Sequence, residues 1–313
     1  MTDLLLMTPL APPELMEEVE GRFAAHRFWE MGEIGAIPPE VAARVSAIAT
    51  TGSIGASAAL MAALPNLKMI AVNGVGFDAI DLEVARARGI AISTTPDVLT
   101  DAVADMAVSL ALAASRRIAE GDRFVRAGKW QAGRLGLGWS LRGQTAGLLG
   151  YGRIGRRIAE ILGAFEMTVL YCDLAPVPGQ DAAFRPTAEA LARDCRVLIV
   201  AAAGGEGTRD LVDRGVLRAL GPEGLLVNVA RGSVVKEPDL VAALEAGEIG
   251  GAALDVFAAE PTVPPALTAR DNVVVTPHIA SATLEARRAM GRLVIDNLAA
   301  FFEARPLVTP LDY

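Results

Sequence analysis

Short apolar segments of strand length alternate with segments of helix length along most of the 313-residue chain. This alternation is typical of βαβ units, in which parallel strands are connected by crossover helices. Ten strands are too many for one small sheet, and the chain is long enough for two domains. The pattern therefore predicts an α/β protein with two parallel sheets. The ten predicted strands are Leu4–Met7, Val45–Ala49, Met69–Val72, Ile90–Ser93, Ala146–Leu149, Thr168–Tyr171, Val197–Val200, Leu225–Asn228, Ala252–Asp255 and Val273–Thr276.

Helices are predicted between the strands, and two long ones have apolar residues at helical spacing. They span Leu99–Arg117 and Leu284–Arg305, while the shorter Pro238–Ala246 has proline in its first turn and glycine just after its end. Because the second long helix follows the last strand, we expect the tail to return to the N-terminal part and to make one domain discontinuous. The predicted domains are residues 1–97 with 285–313, and residues 98–284.

Composition and charge exclude several classes of protein. Hydrophobic residues make up 52% and charged residues 21% of the chain, as in ordinary packed domains. The 29 Lys and Arg residues against 37 Asp and Glu residues give a net charge of −8, and no basic run is present. Such a chain has no segment suited to nucleic-acid phosphates or to an anionic membrane. We therefore expect neither nucleic acid nor a membrane as a partner.

The two cysteines and two histidines predict neither a disulfide framework nor a metal site. Cys172 and Cys195 form no C-x-x-C pair, and His26 and His278 have no H-x-x-x-H spacing. Unpaired cysteines are typical of a reducing compartment, so the cytoplasm is the expected location. Val45–Leu67 is 23 residues without a charge, but turn residues interrupt it, and we predict a strand, a loop and a small helix there.

A glycine-rich turn joins a predicted strand to a predicted helix. Gly150-Tyr-Gly152-Arg-Ile-Gly155 follows the strand Ala146–Leu149 and opens the helix Arg153–Ala164. In dinucleotide-binding folds the first glycine forms the tight turn, the second lets the backbone approach a pyrophosphate, and the third packs the helix on the strand. The N-terminus of the helix then attracts the phosphates. A glycine turn that binds no ligand is the alternative.

An acidic residue follows this turn at the spacing expected for ribose binding. Asp173 ends the next strand, 18 residues after Gly155, where a carboxylate can accept hydrogen bonds from both ribose hydroxyls. The same carboxylate would repel a 2′-phosphate and therefore favours NAD over NADP. Arg153 and Arg185 are near enough in sequence to weaken this preference, so NADP stays open as a second cofactor.

Three successive predicted strands in the C-terminal half each lead into polar residues. Arg231 follows the first strand, Asp255 and Glu260 follow the second, and His278 follows the third. Because open parallel sheets bind ligands at the carboxyl ends of their strands, we expect these side chains to share one edge of the sheet.

These residue types suit the reduction of a 2-oxo acid. A histidine can deliver the proton that the carbonyl oxygen needs, and a neighbouring carboxylate keeps the imidazolium populated. A guanidinium binds the substrate carboxylate and carbonyl oxygens at two points. Taken singly, Arg231, Glu260 and His278 have ordinary alternatives as loop, turn and surface residues, but their joint position after a dinucleotide turn favours catalysis. His26 lies near a charged helix and is interpreted as a surface residue.

Seven motifs follow one another along the chain. They are Asn73–Asp81, Thr95–Asp105, Gly150–Gly155, Val229–Gly232, Gly251–Phe257, Glu260–Pro261 and Thr276–Thr283. In this order they resemble the D-isomer-specific 2-hydroxyacid dehydrogenase family, and the resemblance covers nearly the whole chain. Within the family, the chain is most similar to the branch of glyoxylate, hydroxypyruvate and hydroxyphenylpyruvate reductases.

The resemblance implies roles for individual residues. His278 would be the acid and base, Glu260 its carboxylate partner and Arg231 the substrate-orienting group, while the backbone amides of Val75 and Gly76 would hold the substrate carboxylate. Asp255 would bind the nicotinamide carboxamide. The full set implied for cofactor binding is Gly150, Gly152, Arg153, Ile154, Gly155, Asp173, Ala202, Val229, Ala230, Asp255, His278 and Ser281.

The resemblance also implies an architecture. It consists of two Rossmann-like doubly wound domains: a discontinuous, flavodoxin-like substrate-binding domain formed by residues 1–97 and 285–313, and an inserted NAD-binding domain formed by residues 98–284. Members of the family usually form homodimers through the cofactor domain. We expect the same here.

Three positions depart from the family pattern. Asp173-Leu174 replaces the small residue and arginine with which this branch commonly binds NADP, and Ala203-Gly204 replaces a Pro-Leu pair. Glu166 stands where a glycine usually ends the helix, and a positive φ there would cost about 1 kcal/mol. None of these departures affects the expected catalytic residues.

The sequence therefore predicts an NAD(P)-dependent oxidoreductase that transfers a hydride to a small 2-oxo acid and yields a D-2-hydroxy acid. Glyoxylate and hydroxypyruvate are the first expected substrates, and reduction of hydroxyphenylpyruvate or 2-ketogluconate is an alternative. A non-catalytic NAD-sensing scaffold on the same fold is the alternative from another class.

Overall fold

The computed structural model describes residues 3–313, which form eleven strands and thirteen α-helices. The strands are β1 (Asp3–Leu6), β2 (Ala24–Arg27), β3 (Val45–Thr50), β4 (Met69–Val72), β5 (Ala91–Ser93), β6 (Thr145–Leu149), β7 (Thr168–Cys172), β8 (Val197–Val200), β9 (Leu225–Asn228), β10 (Gly251–Leu254) and β11 (Val273–Val275). The helices are α1 (Pro13–Arg22), α2 (Phe28–Met31), α3 (Pro39–Ala42), α4 (Ala58–Ala63), α5 (Leu82–Ala87), α6 (Thr100–Ser115), α7 (Ile118–Arg126), α8 (Arg153–Ala164), α9 (Ala188–Arg193), α10 (Arg214–Leu220), α11 (Glu237–Glu245), α12 (Pro265–Thr268) and α13 (Leu284–Phe302).

The chain divides into two compact units, each of which contains one parallel sheet. The first unit is Met1–Leu99 with Ser281–Tyr313, and the second is Thr100–Ala280. The first sheet has the strand order β2-β1-β3-β4-β5, which is the flavodoxin-like doubly wound order. Its two faces are covered by separate apolar clusters, since successive strand residues point to opposite sides. The expected α/β class with parallel sheets is thereby confirmed.

The second sheet has the order β11-β10-β9-β8-β6-β7, and a single parallel bridge joins Tyr171 of β7 to Phe184. If this bridge is counted as a strand position, the order becomes the 3-2-1-4-5-6 arrangement of the dinucleotide-binding fold with one further strand. The order changes direction at β6, which lies between β7 and β8. Ligands bind outside the carboxyl ends of strands at such a switch point, and Gly150 directly follows β6.

Strand β2 is the one strand of the described residues that the sequence pattern did not predict. Its residues Ala24–Arg27 include no β-branched side chain, and it forms by pairing with β1 at the edge of the first sheet. His26 lies on this strand, and its Nε2 contacts the Oδ1 atom of Asp3 at 2.7 Å. His26 is therefore partly buried on this edge strand, with 21% of its side chain exposed beside a buried carboxylate.

Two local predictions are confirmed. The charge-free segment Val45–Leu67 forms β3, a loop and the short helix α4, and no helix within residues 3–313 has both the length and the apolarity needed to cross a membrane. Glu166 adopts φ +57° after the end of α8, in the left-handed region that favours glycine.

Candidate active site

The glycine turn after β6 has the geometry of a phosphate-binding turn. Gly150 has φ +96°, and a Cβ atom there would lie 2.5 Å from the backbone nitrogen of Ala202. A Cβ atom on Gly155 would lie 2.2 Å from the carbonyl oxygen of Gly150, so α8 packs on the turn only with glycine at this position. A Cβ atom on Gly152 would meet nothing within 4 Å. Space therefore remains beside Gly152 for a ligand.

Helix α8 presents its N-terminus to this space. Its N-cap residue is Gly152, and no side chain caps the first turn. The first backbone amides of a helix have no partner within the helix, and the helix dipole adds a partial positive charge there. The turn and the helix end together fit the diphosphate of a dinucleotide.

Asp173 is hydrogen-bonded to the glycine turn. Its Oδ2 accepts a hydrogen bond from the backbone amide of Tyr151 at 2.7 Å, and its Oδ1 accepts one from the amide of Leu174 at 2.7 Å. Each carboxylate oxygen can accept two hydrogen bonds, so both retain capacity for ribose hydroxyls. Arg185 pairs with Asp194 and donates to two backbone carbonyls, so its guanidinium is already engaged.

Three adjacent strands, β9, β10 and β11, lead into the residues predicted for catalysis. The Nδ1 atom of His278 lies 2.7 Å from Oε2 of Glu260, and Oε1 of Glu260 accepts a hydrogen bond from the amide of Phe257 at 3.1 Å. Arg231 donates from Nη1 to the carbonyl oxygen of Ala230 at 2.8 Å. The imidazole and the carboxylate are each about a third exposed, so solvent and ligands can reach them.

The pKa of Glu260 is lowered from its ordinary value of 4.5. Burial raises this pKa, but the hydrogen bonds from His278 and from the Phe257 amide, together with the charges of His278 and Arg231, outweigh burial. Glu260 is therefore ionised at neutral pH. Because an ionised carboxylate only accepts hydrogen bonds, the Nδ1 atom of His278 carries a hydrogen, and Nε2 is the ring atom left to exchange a proton.

Asn228 shapes the segment that carries Arg231, and the sequence analysis did not select it. The side chain of Asn228, at the end of β9, is buried. Its Nδ2 donates to the carbonyl oxygen of Arg231 at 3.0 Å, and its Oδ1 accepts from the amide of Ala230 at 3.0 Å. The signal in the sequence that could have identified Asn228 is a polar amide at the end of an apolar strand.

Asp255 is fully buried, and its carboxylate accepts hydrogen bonds from three groups of the protein. Its contact with a nicotinamide carboxamide stays a prediction. Val229 and Ala230 are also buried after β9, and Ala202 borders the glycine turn. Ser281 follows Ala280 and is partly exposed.

In the first unit, Val75 and Gly76 lie in the loop after β4 and are partly exposed. The two residues before them, Asn73 and Gly74, are hydrogen-bonded to neighbouring segments of the first sheet. The amide of Asn73 donates to the carbonyl oxygen of Thr50 at 2.7 Å, and the carbonyl oxygen of Gly74 accepts from the amide of Thr95 at 2.8 Å. The loop is therefore positioned by the first sheet.

A dinucleotide turn, a histidine in contact with an ionised carboxylate, and an arginine that follows the neighbouring strand β9 define the class of an NAD(P)-dependent dehydrogenase. Residues 108–280 match the family model of the D-isomer specific 2-hydroxyacid dehydrogenase, NAD binding domain. The chain belongs to this family, as its motifs indicated. It is accordingly an NAD(P)-dependent oxidoreductase of 2-oxo acids.

Curated relatives and solved structures match the chain over nearly its whole length. It is 44% identical over 309 residues to 2-ketogluconate reductase of Gluconobacter oxydans, covering 99% of this chain and 98% of that protein. It is 42% identical over 308 residues to glyoxylate/hydroxypyruvate reductase A of Arabidopsis thaliana, covering 98% of both. The crystal structure of an NADPH-dependent glyoxylate/hydroxypyruvate reductase from Sinorhizobium meliloti with NADP and malonate matches with a TM-score of 0.92 and 40% identity, covering 99% of this chain and 96% of that one.

Proposed function

We propose that this enzyme reduces glyoxylate and hydroxypyruvate to the corresponding hydroxy acids, with His278 as the proton donor. The observation that carries the proposal is the 2.7 Å contact between Nδ1 of His278 and the ionised Glu260. His278 follows β11 and Glu260 follows β10, and β10 is paired with β9, which leads to Arg231. Relatives named for these substrates support it.

The proposed mechanism assigns one task to each side chain. Glu260 holds Nδ1 of His278, so that Nε2 donates a proton to the carbonyl oxygen of the substrate. Arg231 orients the substrate by binding its carboxylate and carbonyl oxygens at two points, and the amides of Val75 and Gly76 bind the carboxylate. When bound, the nicotinamide cofactor would supply the hydride for the carbonyl carbon.

We propose that the cofactor is held by Gly150, Gly152, Gly155 and the first amides of α8, with NAD preferred over NADP. The carboxylate of Asp173 supports this preference, because it is fixed beside the glycine turn and would repel a 2′-phosphate. We also propose the remaining contacts implied by the resemblance. They involve Arg153, Ile154, Ala202, Val229, Ala230, Asp255, His278 and Ser281.

The cofactor proposal is tested by the ratio of kcat/KM with NADH to kcat/KM with NADPH. We expect the wild type to favour NADH, and Asp173→Ala to reduce the ratio by about tenfold or more, as one lost or repulsive charged contact is commonly worth about 1.4 kcal/mol. A wild-type preference for NADPH, as in the relative from Sinorhizobium meliloti, would contradict the proposal.

The catalytic proposal is tested with His278→Asn and a panel of 2-oxo acids, by the loss of NADH absorbance. We expect the variant to lose turnover while NADH binding, followed by fluorescence, is largely retained, because His278 is only one of the proposed cofactor contacts. Near-normal turnover in the variant would refute the role of His278. If the wild type oxidised NADH with none of the panel, a non-catalytic NAD-binding scaffold would replace the proposal.

A second candidate activity is the reduction of 2-ketogluconate, favoured by the 44% identity to the enzyme from Gluconobacter oxydans. The same side chains would carry out the chemistry, and only the substrate side chain differs. The panel therefore contains 2-ketogluconate and hydroxyphenylpyruvate beside glyoxylate and hydroxypyruvate. The order of kcat/KM values decides between these substrates.

We propose that two copies of the chain associate through the second unit. Large apolar side chains are exposed on a segment of this unit, at Ile118, Val125, Trp130 and Leu137, and Leu137 is 96% exposed. A cavity of about 700 Å³ adjoins this segment and is lined by Leu137 and Trp139 among others. Exposed apolar patches of this kind are typical of subunit interfaces, and twofold association is the commonest form.

The association is tested by measuring the mass in solution with light scattering. We expect a dimer for the wild type and a monomer for the double variant Trp130→Glu and Leu137→Glu. Val308→Glu, an exposed position of the first unit, is the matched control and should stay dimeric. A monomeric wild type would refute the proposal.

We further propose a cytoplasmic location, supported by the two free cysteines.

A further inference from the structure

The backbone segment that carries His278 is bound to a single buried carboxylate. Asp255 follows β10 and has no exposed surface. Its Oδ1 accepts hydrogen bonds from Oγ1 of Thr276 at 2.6 Å and from the amide of Ile279 at 2.9 Å, and its Oδ2 accepts one from the amide of Ala280 at 2.8 Å. The carboxylate therefore binds donors on both sides of His278 in the chain.

His278 itself has an unfavourable backbone conformation. Its φ is +54°, in the left-handed region that residues with a side chain seldom adopt. The carbonyl oxygen of Asp255 accepts a hydrogen bond from the His278 amide at 2.8 Å, so Asp255 contacts this residue as well as its neighbours. Strained residues persist only where the surrounding contacts determine their conformation. Asp255 accepts four of the hydrogen bonds that fix this segment, from Thr276 Oγ1 and from the amides of residues 278, 279 and 280.

We propose that Asp255 and Thr276 are positioning residues, which orient the imidazole of His278 for proton transfer by holding its backbone segment. The inference rests on the proposed function, because it requires His278 to be the proton donor. It differs from the expected contact of Asp255 with the nicotinamide carboxamide, which concerns cofactor binding. The two roles predict changes in different kinetic constants.

Thr276 offers the mildest test, because its hydroxyl can be removed without changing the shape of the side chain. Thr276→Val deletes the donor to Asp255, and Thr276→Ser retains it. We expect Thr276→Val to lower kcat by about tenfold, since small displacements of a reacting group cost rates of this order. The dissociation constant for NADH should not change, and the solvent deuterium isotope effect on kcat should rise. Thr276→Ser should restore kcat and the isotope effect.

Asp255→Asn gives a second, stronger perturbation. The amide has one acceptor oxygen, and its NH₂ group would face a backbone or hydroxyl donor, so part of the segment around His278 loses its partner. We expect kcat at saturating NADH to fall by about 100-fold, with cooperative thermal unfolding still observed. Because Asp255 is also a proposed contact of the cofactor, the readout of this variant is kcat and not the affinity for NADH.

Each other outcome overturns the inference. Weaker NADH binding with an unchanged kcat in either variant would show that Asp255 serves the cofactor alone and does not position His278. A lower melting temperature with a wild-type kcat and isotope effect would show a purely structural role. His278→Asn separates this test from that of the proposed function. If His278→Asn is inactive while Thr276→Val has wild-type kcat, only the positioning role fails, and if His278→Asn is active, the proposed function fails with it.

Discussion

Replacing Glu260 with glutamine tests the proposed proton-donating pair of Glu260 and His278. Glu260 accepts two hydrogen bonds through different oxygens: Oε2 binds Nδ1 of His278 at 2.7 Å and Oε1 binds the amide of Phe257 at 3.1 Å. Both partners are donors, and a glutamine side chain has one acceptor oxygen. Glu260→Gln therefore either turns its NH₂ group toward the Phe257 amide or donates to Nδ1, which then cannot carry a hydrogen.

The expected decrease in kcat/KM follows from the kind of hydrogen bond that Glu260→Gln removes. A hydrogen bond with a charged partner contributes about 1.5–3 kcal/mol. Because His278 and Glu260 keep 36% and 29% of their side-chain exposure, solvent weakens the interaction, and the lower part of this range, about 1.5–2 kcal/mol, applies. A difference of about 1.4 kcal/mol is a factor of ten. We expect kcat/KM for reduction to fall by about 10- to 30-fold.

The assay is the steady-state oxidation of NADH with the best 2-oxo acid of the panel, as a function of pH. The contribution of ionised Glu260 is present above its ordinary pKa of 4.5 and is lost as the pH falls through its lowered pKa, so the wild-type profile should keep its activity down to below 4.5. In Glu260→Gln, which has no carboxyl group at this position, the fall of kcat/KM that accompanies protonation of Glu260 should be absent. Wild-type kcat/KM in Glu260→Gln at neutral pH would refute the reasoning.

Three further predictions concern the glycine turn, the end of α8 and the ion pairs of Glu248. Gly155→Ala should abolish NADH binding, measured by fluorescence, because the new Cβ atom would lie 2.2 Å from the carbonyl oxygen of Gly150. Gly163→Ala is the control in the same helix, where a Cβ atom would meet nothing within 4 Å, and it should raise the free energy of unfolding by about 1 kcal/mol. Glu166→Gly should raise it by up to about 1 kcal/mol in denaturant titrations by removing the strain at φ +57°, and a loss of stability would contradict this. Hydrogen bonds from two arginines lower the pKa of Glu248 from 4.5 to about 2, so Glu248→Gln should melt below the wild type near neutral pH. That difference should shrink as the pH falls from 4.5 toward 2 and not at higher pH.

Much of the fold and the site could be predicted because the signals are local in the sequence. Strands such as Val197–Val200 are short apolar runs whose four residues are all buried, a pattern typical of a parallel sheet covered on both faces. The spacing of the three glycines after β6 indicates the phosphate-binding turn. Arg231, Glu260 and His278 could be grouped because successive parallel strands end at one edge.

Other features depended on contacts that the tertiary structure alone creates. The parallel α/β architecture, the glycine turn and the proposed catalytic side chains could be read from short patterns, since backbone geometry links each of them to local residue spacing. The tertiary structure decided that the polar segment Ala24–Arg27 pairs as a strand, that Asp173 accepts from the amide of Tyr151, and that Asp255 is buried under the segment of His278. In each case the hydrogen-bonding partners are 21 or more residues apart in the chain. No local pattern records such partners, because folding brings them together.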